Sequence, residues 1–492
     1  MSTKKQYDDL YGGVGRSVNF RPKRVLAREV ADLEGFSLVV DGEVVPVHDL
    51  AMNGLSFHAP HAAAASMQFG RLLQVRLSLA DQPMYEGEGR IARLESAGRG
   101  LRVGVQLMTG FLDLPAIRRA DDERTLKLKL GAGAMRLREK VPAPFRDANE
   151  QGSFFIAHHR RLLDEAESRY REEGANGREL IDRLGRTAIE AMRPRWREVS
   201  DQASGVARAY VGDADVTQAM KSYVETTVTT QLLDVPLVHR AYTKPLGYPG
   251  DFQVMNMILR NAFEGRTVFS RVMNKLFAEE PIAEGGRARL DAITELHRSE
   301  LAHRASFDSQ TPFRVLSLGC GPAREVCDLS DSSGPWPVPI EWTLMDQDER
   351  VLSLAYGEAF KRLSKRRDGS AVRCLYMSFQ QMMNDPGGTL AGESHDFVYA
   401  SGLYDYLPAG RARALTRALY DKARPGGLVM VANAAAPSPS LWPTEYILDW
   451  TLIYRNREEM LALAADCHGA ESVEFMQEPV GAFSFILIRK PR

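Results

Sequence analysis

Two glycines and an acid are the residues whose spacing most clearly suggests chemistry. Gly319 and Gly321 lie in the segment VLSLGCGPAR, where an apolar run gives way to a helical pattern. Glycine permits a tight turn and close approach of the backbone to a ligand, and a helix start offers unpaired N–H groups. Asp346 ends the next apolar run, where a carboxylate can accept hydrogen bonds from both ribose hydroxyls. With Ala323 in place of a third glycine, the pattern predicts an adenosine-containing ligand and leaves NAD(P) and a methyl donor open.

A second candidate site is the segment HRAYTKPLGYPGDF, which interrupts a helical region. It carries two cationic side chains, Arg240 and Lys244, and two aromatic ones, Tyr242 and Tyr248. Functional groups concentrate on loops, so we expect this segment to close over the ligand, with Arg240 or Lys244 holding an anionic acceptor. The alternative is structural, because Tyr-Pro-Gly-Asp is turn chemistry and Asp251 is a natural N-cap.

These side chains need a parallel sheet and a helical layer to position them. After Phe313, short apolar runs alternate with helical patterns, which predicts a doubly wound α/β (Rossmann-like) domain over 306–492. Helical periodicity predicts an α-helical middle domain or lid over 153–305. Short β-like runs between turn residues predict an N-terminal antiparallel β-barrel over 16–125, with a linker over 126–152.

The order of segments in the C-terminal part resembles a class I S-adenosyl-L-methionine (SAM)-dependent methyltransferase. The resemblance rests on VLSLGCGP, TLMDQD, FVYASGLYDYL and RPGGLVMVAN and covers roughly the last 180 residues. It implies that the glycine loop meets the methionine part of SAM, that Asp346 and its neighbour Gln347 meet the ribose, and that Ser378 and Phe379, after the third strand, flank the adenine. The family usually has an acid where this chain has Ser317. The implied cofactor-binding residues are Gly319, Cys320, Gly321, Asp346, Gln347, Ser378, Phe379, Ser401 and Tyr242.

The KPLGYPGDF loop, together with GLYDYL, resembles the methyltransferases of 3-hydroxy fatty acid (3-hydroxypalmitate) methyl ester biosynthesis. This resemblance runs from about Phe154 to the end of the chain. It implies a fatty-acyl carboxylate as the methyl acceptor. Such an acceptor is ionised at neutral pH and needs no general base. The implied catalytic residues are Tyr404, Asp405, Tyr248 and Lys244.

The N-terminal region resembles a PilZ domain. Arg24 and Arg28 form an R-x-x-x-R arm, and Asp49 and Gly54 bracket a later turn. In PilZ domains these elements clamp cyclic di-GMP, with arginines on its phosphates and guanines. Ala51 stands where that motif has serine, which removes one hydroxyl contact. The alternative is a ligand-free barrel used for protein contacts.

Composition narrows the classes of partner. Lys+Arg 63 against Asp+Glu 64 gives a net charge of -1, so no global basic field favours nucleic acid. The four cysteines form no C-x-x-C pair, and we expect neither a metal site nor disulfides. No signal-peptide-like start and no apolar run of about 20 residues is present, which predicts a cytoplasmic protein without a membrane span. The family resemblances imply that the protein is bacterial.

Two functional classes remain open. The first is a SAM-dependent methyltransferase of a small molecule, tuned by a PilZ domain. The second is a non-catalytic effector that binds cyclic di-GMP and SAM and signals through a protein partner. An oxidoreductase is less favoured, because the GLYDYL segment fits SAM better than NAD(P).

Overall fold

The computed structural model describes residues 25–31, 35–60, 66–79, 82–97, 100–128, 134–171, 175–332, 334–384, 390 and 392–492. The chain divides into two compact units, Met1–Arg136 and Leu137–Arg492. The three-part division predicted from the sequence stays a prediction. Residues Ala134–Lys140 and Ala143–Arg171 are helical, although the range 126–152 was predicted to be a linker.

The first unit is built on an eight-stranded antiparallel sheet in the order β1-β4-β5-β8-β7-β6-β2-β3. Strand β6 alternates exposed and buried residues, as expected for a sheet with one face on a core. Leu38, Leu55, Val75 and Val103, from four different strands, share one apolar cluster. The sheet therefore curls around a core, but no pairing of β1 with β3 closes it among the described strands. The strands are β1 (Val25–Leu26), β2 (Phe36–Val40), β3 (Glu43–Val45), β4 (Val47–Ala51), β5 (Gly54–Pro60), β6 (Leu72–Leu79), β7 (Gln82–Ala97) and β8 (Gly100–Leu107), followed by helix α1 (Leu114–Leu128).

The second unit begins with a helical layer. Its core contains Phe145, Trp196 and Trp442, all fully buried, so the layer packs on a segment near the end of the chain. Gly152 allows the closest approach, because a Cβ there would lie 2.5 Å from a Trp442 ring carbon. The helices are α2 (Ala134–Lys140), α3 (Ala143–Arg171), α4 (Ala175–Arg208), α5 (Ala214–Thr227), α6 (Pro236–Thr243), α7 (Phe252–Arg260), α8 (Val268–Ala278) and α9 (Pro281–Ala305).

The rest of the second unit is a seven-stranded sheet in the order β11-β10-β9-β12-β13-β15-β14. Strands β9 to β13 are mutually parallel, and β15 runs antiparallel between β13 and β14. All six residues of β12 are buried, as expected for a central strand covered on both faces. The predicted doubly wound, Rossmann-like sheet is confirmed. The strands are β9 (Phe313–Leu318), β10 (Ile340–Asp346), β11 (Ala371–Tyr376), β12 (His395–Ala400), β13 (Ala423–Ala434), β14 (Ser472–Gln477) and β15 (Phe483–Arg489).

Five helices accompany this sheet: α10 (Arg324–Ser330), α11 (Glu349–Arg366), α12 (Phe379–Asn384), α13 (Ala409–Lys422) and α14 (Arg457–Ala462). The strand order reverses between β9 and β12, which lie side by side although β10 and β11 separate them in the chain. Ligands of open α/β sheets bind at such a switch point, outside the carboxyl ends of the strands. Within the described part of the chain, no helix has the length and apolar character that a membrane crossing requires.

Substituting Gly152 tests how the helical layer packs on the sheet. We expect Gly152→Ala to lower the free energy of unfolding by about 1–3 kcal/mol, because the new methyl group must displace a buried indole. Gly205→Ala in α4 is the matched control, since its nearest neighbour, an Arg208 nitrogen, lies 4.0 Å away. Chemical denaturation of both variants measures the difference. Equal stability of the two would contradict the packing described.

Candidate functional site

A cavity of about 580 Å³ lies at the switch point of the sheet. The segments that follow β9, β10, β11 and β12 form one wall, and helices α7 and α9 form a second wall. Its size is in the range of small-molecule sites. The strand ends thus bring together side chains that are far apart in the sequence.

The glycine loop after β9 forms part of this wall. Gly319 and Gly321 have φ values of +62° and +55°, in the left-handed region that favours glycine. The backbone N–H groups of Gly319 and Cys320 donate to the carbonyl oxygen of Met345, at 2.8 and 3.1 Å. A Cβ on Gly321 would meet no atom within 4 Å. The loop is therefore a fixed cradle with open space above its second glycine.

Asp346 holds this loop and faces the same cavity. Its Oδ2 accepts a hydrogen bond from the Gly321 N–H at 3.1 Å, and its Oδ1 accepts from the Asp348 N–H at 3.0 Å. Burial raises the pKa of Asp346 above its usual value. Each carboxylate oxygen keeps a lone pair for a ligand hydroxyl. Gln347 also lines the cavity.

The remaining strand ends contribute Ser378, Phe379 and Ser401, all of which line the cavity. The Ser378 hydroxyl is bonded to Gln381, at 3.1 Å, and so fixes the start of α12. The carbonyl oxygen of Ser401 accepts a hydrogen bond from Arg289 at 2.6 Å. Of the nine cofactor-binding residues predicted from the sequence, the structure brings eight to one cavity.

Tyr242 is the one predicted cofactor-binding residue that does not line the cavity, and the predicted catalytic residue Tyr404 does not line it either. The Tyr242 hydroxyl donates to Glu225, and neither Tyr242 nor Tyr404 lines the cavity. Tyr404 is fully buried in the core beneath, with its hydroxyl 3.0 Å from Thr416 Oγ1. Asp405, the next residue, does line the cavity. Two residues predicted to touch ligands therefore face elsewhere.

The KPLGYPGDF loop lies beside the cavity, but its cations are already paired. Arg240 forms an ion pair with Asp251 at 2.7 Å, and Lys244 forms one with Asp449. Asp251 also accepts hydrogen bonds from the first N–H groups of α7, so the N-cap interpretation is right. Among the two cations and Tyr248, only Tyr248 lines the cavity. Burial, followed by the charge of Asp346, raises the pKa of Tyr248 to about 12.

Aromatic side chains form the rim near this loop. The Trp450 Nε1–H donates to the Tyr406 hydroxyl at 2.8 Å, and both residues line the cavity with Phe252. A Cβ on Gly250 would lie 2.3 Å from the Trp450 ring, so glycine is needed where the loop crosses the indole. The rim offers π faces to a ligand at the cavity mouth.

Three buried charged residues of the cavity were missed by sequence reasoning: Glu280, Arg289 and Glu325. Glu325 follows the glycine loop by only a few residues, so its position could have drawn attention. Its Oε1 accepts a hydrogen bond from the Tyr399 hydroxyl at 2.6 Å, and burial raises its pKa. Glu280 and Arg289 lie on or next to α9, where no local signal marks them.

Glu280 is buried at the helical side of the cavity. Its Oε1 accepts from the Trp196 Nε1–H at 2.6 Å, and its Oε2 accepts from the Ser200 hydroxyl at 3.2 Å. Burial raises its pKa to about 7. The carboxyl group thus titrates near neutral pH while it joins α4 to the start of α9.

The residues predicted to bind cyclic di-GMP lie in the first unit. Arg24 lies outside the described residues. Arg28 is exposed just after β1, whose Leu26 pairs with Asp49 of β4, and Gly54 begins β5 opposite Ala51. His48, His58 and Arg102 form a hydrogen-bonded group on the neighbouring strands. In the described residues of the chain, no cluster of three metal-binding side chains occurs.

Solved structures resemble the chain at low identity. A possible exported protein from Bordetella parapertussis is 17% identical over 56% of this chain and 97% of that one, with a TM-score of 0.41. Magnesium protoporphyrin IX methyltransferase from Synechocystis, with SAH bound, is 13% identical over 51% and 98%, with a TM-score of 0.34. The N-methyltransferase NodS from Bradyrhizobium japonicum is 17% identical over 41% and 99%, with a TM-score of 0.27. No family model and no curated protein matches the sequence.

The titration of Glu280 gives a prediction about stability. A folded-state pKa of about 7, raised from the usual 4.5, means that its protonated form stabilises the fold at low pH. This stabilisation is lost as the pH rises through about 7. Glu280→Gln is neutral at every pH and can still accept from Trp196. We therefore expect the melting temperature of Glu280→Gln minus that of the native protein to be larger at about pH 9 than at about pH 5.

The exposed Glu295→Gln on the same helix is the control for the loss of one carboxylate. Melting curves of the three proteins across the pH range give the comparison. A constant difference between Glu280→Gln and the native protein would show that Glu280 does not titrate there.

Proposed function

We propose that this protein is a SAM-dependent methyltransferase of a small-molecule acceptor. The observation that carries the proposal is the convergence of the glycine loop, Asp346, Phe379 and Ser401 on one cavity at the switch point of the sheet. When the strands of this sheet are numbered in chain order, their spatial order is 3-2-1-4-5-7-6. Strand 7, which is β15, runs antiparallel to strand 5. The usual dinucleotide-binding order is 3-2-1-4-5-6, without an antiparallel strand between strands 5 and 6.

The residues present fit the cofactor. The open cradle at Gly321 leaves room for a ligand against the backbone, and the Asp346 carboxylate can accept from ribose hydroxyls. Phe379 and Gln347 supply further surface near the ends of β11 and β10. Three carboxylates line the cavity near these elements, Asp346, Glu325 and Asp405, and a cationic ligand is favoured there.

When bound, SAM supplies an electrophilic methyl group on a sulfonium ion. The chain's own residues then have to orient the acceptor in line with that group and exclude water. The Tyr248 hydroxyl keeps its proton at neutral pH, since its pKa is about 12, and can donate a hydrogen bond to the acceptor. Of the residues that the sequence placed in catalysis, Tyr248 and Asp405 are at the cavity, and Lys244 and Tyr404 are not.

The helical wall supports an apolar acceptor. Met255, Ile258, Ile282, Leu290 and Ile293 line it, so that most of this wall is hydrocarbon. A fatty-acyl chain would bury its methylene groups here at a gain of about 0.8 kcal/mol each. A carboxylate at its end would be ionised at neutral pH and would need no general base. These features support a fatty-acyl carboxylate as the acceptor, and its 3-hydroxyl group is implied by the family resemblance alone.

Substituting Asp346 tests the cofactor site. We expect Asp346→Asn to weaken binding of S-adenosylhomocysteine by about tenfold to a hundredfold, since a charged hydrogen-bond acceptor for the ribose is lost. Asp348→Asn is the matched control, because Asp348 caps α11 and does not line the cavity. Isothermal titration calorimetry measures both. Equal affinities for the two variants would remove Asp346 from the site.

Turnover separates the enzyme from the non-catalytic effector. The native protein with SAM and 3-hydroxy fatty acids should release S-adenosylhomocysteine, which mass spectrometry detects. An effector would bind SAM and produce none.

For the first unit we propose cyclic di-GMP binding as a separate function. Support comes from pairing of β1 with β4, which brings the end of the arginine arm to the strand of Asp49. We expect micromolar or tighter binding in calorimetry and its loss in Arg28→Ala. Arg119→Ala in α1 is a control for the loss of one positive charge. Absence of heat with the native protein would exclude this function.

A further inference from the structure

Arg289 is a buried guanidinium that the cavity leaves largely unpartnered. Its side chain rises from α9, and the residue is 8% exposed. One nitrogen, Nη1, donates to the carbonyl oxygen of Ser401 at 2.6 Å, and the guanidinium lies 4.1 Å from the centre of the Phe483 ring. An arginine has five N–H donors, so most of them remain for another partner. The residue lines the cavity, which is where that partner would be.

No carboxylate of the described chain pairs with Arg289 directly. Asp405 and Glu325 are its main carboxylate neighbours in electrostatic terms, and each accepts a hydrogen bond from another group, Asp405 from the Ala434 N–H at 2.6 Å and Glu325 from the Tyr399 hydroxyl at 2.6 Å. Both of these acids are themselves buried and line the cavity. Arg289 and the two carboxyl groups therefore line one cavity without forming an ion pair.

Two other buried arginines of this chain have more hydrogen-bond or ion-pair partners than Arg289. Arg304, 2% exposed, pairs with both Asp308 and Asp396. Arg455, 3% exposed, donates to Asn433 and to two backbone carbonyls, those of Tyr404 and Leu407. Burying a charge without partners is costly, and these two side chains avoid that cost. Arg289 lacks such partners, and this is typical of a residue that binds an anionic ligand.

We propose that Arg289 binds the carboxylate of a ligand in the cavity, an assignment that rests on the proposed methyltransferase function. A planar guanidinium matches a carboxylate with two parallel hydrogen bonds. Two ligands of that reaction carry this group. One is the amino-acid part of the cofactor, whose ammonium group Glu325 or Asp405 would receive. The other is an acidic acceptor, whose chain the apolar helical wall would cover.

Arg289→Gln and a matched control test the assignment. Arg287→Gln removes the same side chain two residues earlier on α9, where Arg287 donates to the carbonyl oxygens of Ile258 and Ala278, at 2.9 and 2.7 Å, and does not line this cavity. Calorimetry on the full chain uses four probes. These are S-adenosylhomocysteine, 5′-methylthioadenosine, which lacks the amino-acid part, decanoate, and decanol, which lacks the charge. Melting curves check that each variant is folded.

The pattern of losses identifies the source of the carboxylate. If it belongs to the cofactor, Arg289→Gln weakens S-adenosylhomocysteine by about tenfold or more and leaves 5′-methylthioadenosine and decanoate unchanged. If the carboxylate belongs to the acceptor, Arg289→Gln weakens the binding of decanoate to a similar degree. The binding of decanol and of S-adenosylhomocysteine is then unchanged. Arg287→Gln should bind all four probes as the native protein does. Native affinity of Arg289→Gln for both carboxylates overturns the assignment.

Two further outcomes keep this assignment separate from the proposed function. If the native protein binds decanoate through Arg289 but does not bind S-adenosylhomocysteine, the proposed methyltransferase function is contradicted and the assignment of Arg289 is not. A native protein that binds neither carboxylate would overturn both. If Arg289→Gln does not fold, the native protein is titrated with the methyl esters of the same two acids. Esters that bind as well as the acids would contradict a role for the charge.

Discussion

The cavity depends on the attachment of a helical layer to the carboxyl edge of the sheet, and the buried carboxyl group of Glu280 is central to that attachment. It accepts hydrogen bonds from Trp196 and Ser200 of α4, and Glu280 is the N-cap residue of α9. The backbone N–H of Ile282 in the first turn of the same helix donates to Ser440, in the segment after β13. A buried carboxyl group with two such hydrogen bonds resists displacement, because each lost hydrogen bond would leave a polar group unsatisfied. Helix α9 is thereby held where its side chains face the strand ends.

With α9 fixed in this place, the polar residues of the cavity take up defined positions. The glycine loop is held from one side by the carbonyl of Met345 and from the other by Asp346, so its conformation exists before any ligand arrives. Arg289 reaches across to Ser401 at the end of β12. The apolar helical residues and the charged strand ends thus line the same cavity, an arrangement that suits a ligand pair with one polar and one hydrocarbon member.

The residues around β12 show how local sequence could identify a segment but not the direction of its side chains. The segment ASGLYDYL does reach the cavity, yet Tyr404 is buried against Thr416 while Asp405 and Tyr406 line the cavity. Residues 404–406 form a 3-10 turn, in which successive side chains point about 120° apart. Which of the three faces the core depends on where α13 packs. The same holds for Lys244, whose partner Asp449 is more than 200 residues away in the chain.

The sequence by itself determined the doubly wound sheet, the glycine loop and Asp346, since alternating apolar runs, turn glycines and strand-end acids act over a few residues. It also identified Asp251 as a cap, because capping is a local hydrogen bond. Only the tertiary structure decided that Arg240 and Lys244 are paired, that Tyr242 and Tyr404 face away, and that Arg289 and Glu280 belong to the cavity. Those outcomes depend on which distant elements pack together, and burial and ion pairing across such distances leave no periodic trace in the chain.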